Sequence, residues 1–132
     1  MPRVIRVVVP FVAGAIAWMI AATAGNLAIR WLLPGYAEVE KSFQFSIGML
    51  IARLVTSAMA SLIAGAAYAL ASRRTQLSVL WFAVLLLGLF IPVHVNLWDK
   101  FPVWYHVVFL GSLAPLAVIG ARWAQLRGAR VV

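Results

Sequence analysis

The stretch from Phe45 to Ala71, FSIGMLIARLVTSAMASLIAGAAYALA, decides the fold. It contains no proline, carries its one charge at Arg53, and exceeds the roughly 20 residues that a helix needs to cross a bilayer core. Three further apolar stretches accompany it: Val7 to Leu33 before it, and Leu77 to Leu97 and Val103 to Ala121 after it. The chain of 132 residues is 65% hydrophobic and holds 11 basic and 3 acidic side chains, too few to coat a water-facing surface. These features predict an all-α integral membrane protein: residues 1–132 form one domain, a four-transmembrane-helix bundle of up-down, antiparallel topology. The connections are too short for a separate soluble domain.

Arg3 and Arg6 precede the first apolar stretch, as in a secretory leader, but the run continues far beyond the 7–15 residues of a leader's apolar region. It reads as a retained span. Pro34–Gly35 stops it, and Glu38, Glu40 and Lys41 lie in the loop that follows. Ser72-Arg73-Arg74 closes the second span, and Trp98 to Pro102 is a tight connection with Pro102 in the first turn of the last helix.

Loop charges predict orientation. Arg3, Arg6, Arg73, Arg74, Arg122, Arg127 and Arg130 fall on one side, against Arg30, Lys41 and Lys100 on the other. The positive-inside rule then puts both termini in the cytoplasm, here of a bacterial inner membrane. Such a bias disfavours small exporters that insert in both orientations. A net charge of +8 would suggest nucleic acid in a soluble protein, but these cations flank apolar spans, so membrane lipids with anionic headgroups are the expected partners and nucleic acid is not. The absence of cysteine removes disulfides, thiolate ligands and dithiol chemistry.

Residues four apart share a helix face, which gives two small-residue rows in the second span: Gly48, Ala52, Thr56, Ala60, Ala64, and Arg53, Ser57, Ser61, Gly65, Ala69. Ala13, Ala17, Ala21 and Gly25 form a matching row in the first. Such rows let helix backbones approach closely in lipid. The third span is expected to show most side chain to lipid. In the fourth, Gly111, Ser112, Pro115, Gly120 and Ala124 are expected to face the bundle, and Val107, Phe109 and Leu110 to face away.

Counting outward from the cytoplasmic boundaries puts Asn26, Arg30, Arg53, His94, Asn96 and His106 in one layer near the outer interface, with Asp99 at its rim. Trp31, Tyr36, Phe43, Trp98, Phe101, Trp104 and Tyr105 form an aromatic belt around it, and Tyr68, Trp81 and Trp123 mark the other side. Two readings compete. In one, the arginines snorkel to headgroups, Asp99 caps a helix and the histidines bond to loop carbonyls. In the other, Arg53 faces the bundle and, with Asn26 and Arg30, binds an anionic group.

His94 and His106 flank a turn, so their rings would converge on haem, a divalent metal or a quinone, with Asp99 as an oxygen ligand. Their spacing matches no established metal motif. No carboxylate lies within a span, no histidine shares the depth of Ser57 and Ser61, and no phosphate-binding glycine loop is present. The expectation is a non-enzymatic binding, assembly or accessory component with an outward-facing polar site for an anionic lipid or small ligand. The alternatives are a transport or channel subunit acting as a homo-oligomer or within a larger membrane complex, and a redox subunit using His94 and His106.

Overall fold

The computed structural model describes residues 2–72 and 78–131, with side chains to Arg127. Helix α1 covers Arg3–Leu32, the one-turn α2 Tyr36–Val39, α3 Ile47–Ala71, α4 Val79–Asn96 and α5 Val103–Val131, with a 3-10 turn at Trp98–Lys100. The four long helices α1, α3, α4 and α5 are each long and apolar enough to cross a membrane. Helix α1 begins at Arg3, one turn before the expected Val7, and α5 continues past the expected Ala121, so Arg122 and Arg127 lie on the same helix as the apolar run. Arg73, Arg74 and the expected start of the third span at Leu77 lie outside the described residues.

The helices start where short polar side chains take up free backbone donors. Ser46 Oγ accepts from the Met49 N–H at 3.3 Å to open α3, and Ser78 Oγ accepts from the Leu80 N–H at 3.2 Å to open α4. At the end of α1, Gly35 takes φ +80°, a left-handed conformation that a Cβ would penalise, and turns the chain back over the helix.

The tightest packing joins α3 and α5. A Cβ on Gly65 would fall into the backbone of Ala117, and one on Gly120 into the backbone of Leu62. The two helices therefore touch main chain to main chain, as small-residue packing in lipid requires. Helix α1 meets α3 where Gly25 lies against the Thr56 methyl and where Trp18 Nε1 donates to Ser61 Oγ at 3.1 Å. It meets α4 at the Phe82 ring, which occupies the space a Gly14 side chain would need. Both rows of α3 contribute to this core: Ala60, Ala64, Ser57, Ser61, Gly65 and Ala69 are buried, whereas Gly48 is exposed.

Helix α5 departs from the expected assignment of faces. Its buried stripe runs Tyr105, Phe109, Leu113, Ala117, Ala121, Ala124, so Phe109 points inward. Gly111 and Pro115, expected inside, are exposed, while Gly120 and Ala124 are buried as expected. The stripe follows strict helical periodicity and tapers from large residues to small. Helix α4 exposes Leu80, Trp81, Val84 and Leu89, in keeping with a lipid-facing helix, but Leu87 is half-buried against the aromatic core.

If backbone contact holds α3 to α5, Gly65→Ala will overpack the crossing and cost roughly 1–3 kcal/mol of stability. Gly88→Ala adds its methyl to open space and should leave the melting midpoint in detergent unchanged or raised. Equal midpoints for the two variants would move the bundle's main contact elsewhere.

Candidate functional site

Away from the glycine crossing, where side chains of α3 and α5 are large, polar groups converge on Arg53. Its Nε donates to the Tyr105 hydroxyl at 3.2 Å and its Nη1 to the Tyr36 hydroxyl at 2.7 Å. These bonds leave Nη2 with no hydrogen-bond partner among the described residues. The guanidinium carbon lies 4.9 Å from the Phe45 ring centroid and 5.7 Å from that of Phe101, so two aromatic faces replace part of the lost hydration. Among the described residues, no carboxylate forms a hydrogen bond or ion pair with it.

A directed chain of hydrogen bonds leads from Arg53 to the first loop. Tyr36 donates onward to Asn26 Oδ1 at 3.0 Å, and Asn26 Nδ2 donates to Glu40 Oε1 at 3.4 Å. Arg30 holds the same carboxylate in a two-pronged grip, Nε to Oε1 at 2.9 Å and Nη2 to Oε2 at 2.7 Å. Glu40 is thus spent on Arg30 and is separated from Arg53 by Tyr36 and Asn26. Arg30, Glu40 and Arg53 together leave one positive charge in the cluster. The bonds from Arg30 hold the Glu40 carboxyl below its usual range, and burial pushes the Tyr36 phenol above its own, keeping it a neutral relay.

Beside Arg53 lies a cavity of about 360 Å³. Trp18, Asn26, Leu27 and Arg30 line it from α1, Arg53, Thr56 and Ser57 from α3, and Tyr105 and Phe109 from α5. Ser57 is 3% exposed, and its Oγ has no hydrogen-bond partner among the described residues. A buried hydroxyl without a partner is costly, and here it borders the cavity. Tyr105, whose oxygen accepts from Arg53, still has a proton to donate.

The histidines form a separate cluster behind Tyr105. His94 and His106 are buried, with Nδ1 atoms 2.6 Å apart, and His106 Nε2 lies 3.3 Å from the Trp98 carbonyl. That carbonyl accepts only, so a neutral His106 carries its proton on Nε2 and accepts at Nδ1 from His94. Two nitrogens bound to one tetrahedral zinc stand about 3.3 Å apart, so the pair is arranged as a direct hydrogen bond. Trp98 stacks on His106 at 4.7 Å, and Phe109 lies 4.4 Å from His94. Among the described residues, no three His, Asp or Glu side chains converge as metal ligands would.

Of the residues singled out from the sequence, the structure therefore brings Asn26, Arg30 and Arg53 to one cavity and places His94 and His106 in a neighbouring pair. Asn96 and Asp99 are exposed and join neither. Tyr36, Tyr105 and Glu40, the groups that connect the arginines, were legible only as belt and loop residues. The signal for them was indirect: a bundle-facing arginine with no carboxylate in any span must take other acceptors, and tyrosines lay at its depth. No protein-family model, curated protein or solved structure matches this chain.

Glu40 makes the site acid-sensitive. A carboxylate with a lowered folded-state pKa stabilises fully above its unfolded pKa and loses that contribution as pH falls through the folded value. The melting midpoint should therefore fall on acidification below about pH 5. Glu40→Gln should start lower at neutral pH and lose most of this acid limb, which a pH series of melts would read.

Proposed function

We propose that this chain is a bacterial inner-membrane protein with four antiparallel spans and both termini cytoplasmic, and that it acts as a non-enzymatic binding or accessory component. Its ligand is an anionic lipid headgroup or small anion held at the outward-facing cavity beside Arg53. The observation that carries this reading is the unmatched guanidinium. Arg53 is fixed by two phenol oxygens and two aromatic rings, and it borders a cavity that also receives the Ser57 hydroxyl; among the described residues neither Nη2 nor that hydroxyl has a hydrogen-bond partner. Arginine offers paired donors that match carboxylate and phosphate geometry, and neutral phenols do not cancel its charge. The orientation rests on the distribution of Lys and Arg between the two sides, seven against three.

Arg53→Gln retains a hydrogen-bonding side chain without the charge. Native mass spectrometry of the detergent-solubilised protein should show retention of a co-purified or added anionic ligand weakened about ten- to a hundredfold, the range expected for one lost charge-assisted contact. Arg3→Gln, far from the cavity, serves as the control for general attraction to anionic lipid. Equal retention by Arg53→Gln and wild type would reduce Arg53 to a structural cation of the bundle.

Reporter fusions test the orientation separately. A fusion after Val132 should read cytoplasmic, and one between Glu40 and Lys41 external. An external signal at Val132 would overturn the even number of spans.

A further inference from the structure

On the loop side of Arg53 the aromatic rings are closely packed. Tyr36 is 0% and Phe101 6% exposed, Phe45 stacks on Phe101 with ring centroids 5.8 Å apart, and Arg53 lies against both phenylalanines. Phe43, at φ +58°, packs edge-on to Phe45 and Phe101. A non-glycine residue in the left-handed region is costly, and the ring contacts of Phe43 offset that cost. These rings pack over Arg53 itself, and the outer edge of the cavity is formed by Asn26 and Arg30.

The α1 side is different. Thr23, Leu27 and Arg30 line the cavity and are exposed. Below them Ile16 and Ile20 are also exposed, so Ile16, Ile20, Thr23 and Leu27 form one stripe along α1 at helical spacing. That stripe leads from the mouth of the cavity along an apolar helix face. The cavity itself is polarised, with Arg53, Ser57 and Tyr105 as donors and Trp18 and Phe109, 6.3 Å apart, as apolar wall. Its 360 Å³ admits on the order of a dozen water-sized groups, the scale of one anionic head and the first few methylenes of one chain.

We infer that the ligand is a single-tailed membrane amphiphile with an anionic head, which enters sideways between Thr23 and Leu27 and leaves its tail along the α1 stripe. This rests on the reading of the cavity as an anion site. The head takes Arg53 Nη2 and the Ser57 and Tyr105 hydroxyls.

Binding to the full chain in neutral nanodiscs, followed by native mass spectrometry, distinguishes the sources of the anion. The probes are oleyl phosphate, inorganic phosphate and dioleoyl phosphatidylglycerol, which present one tail, none and two. Oleyl phosphate should bind saturably and lose about tenfold or more in Arg53→Gln and in Leu27→Trp, which fills the mouth from an exposed position and keeps the test open if Arg53→Gln fails to fold. Inorganic phosphate should not saturate, and the two-tailed lipid should bind at least tenfold more weakly. Saturable, Arg53-dependent binding of inorganic phosphate that ignores Leu27→Trp would overturn lateral entry while leaving the anion site standing. Equal Arg53-dependent binding of the two-tailed lipid would overturn the restriction to one tail. Binding of no probe that depends on either residue would remove both the inference and the reading beneath it.

Discussion

Direct backbone contact between α3 and α5, at Gly65 against Ala117 and Gly120 against Leu62, is the constraint from which the rest follows. In lipid, apolar helices gain little by hiding apolar surface from one another, so the closest backbone approach sets their relation. From that crossing the α5 stripe grows from Ala117 through Leu113 to Phe109 and Tyr105. Residues of this size hold the helices further apart. The space not filled by Trp18 and Phe109 is the cavity, so tight packing at one end and open volume at the other belong to the same taper.

The second requirement is the desolvation of a guanidinium among helices without a carboxylate to neutralise it. Burying a charge beside an opposite charge often stabilises little, because both groups lose water. Here Arg53 gives hydrogen bonds to two neutral phenols and lies over aromatic faces, and these replace hydration without cancelling the charge. The Glu40 carboxylate is held instead by Arg30 at the exposed edge of the cluster. The histidine pair is a closed arrangement by comparison, since its inner nitrogens bond to each other and its outer edges meet Trp98 and Phe109.

The four long helices were legible because length and hydropathy report directly on bilayer thickness. Faces were less legible. In a soluble bundle, polar residues mark the outward side, but in a bilayer both sides are apolar, and small size becomes the main cue. That cue held for Ser61, Gly65 and Gly120 and failed for Gly111 and Phe109, where rotation about α5 rather than residue size decides direction. The polar layer was legible in depth, which brought Asn26, Arg30 and Arg53 to attention. Their connections through Tyr36 and Glu40 depend on the loop folding back after Gly35, a path that composition does not encode.

The long helices are unequal, and this bears on the surrounding lipid. At 1.5 Å per residue, the 30 residues of α1 and 29 of α5 extend about 45 Å, while the 18 of α4 extend about 27 Å. The extra length of α1 and α5 carries Arg3, Arg6 and Arg30 on the first and Arg122 and Arg127 on the second, so these polar ends reach past a hydrocarbon core of about 30 Å that α4 slightly underfills. In a bilayer the lipid would meet the short apolar length of α4 by thinning beside it, while the charged ends of α1 and α5 stand proud of the core. The protein would then be surrounded by a bilayer of uneven depth, and its residence in a membrane would depend on how readily those lipids deform.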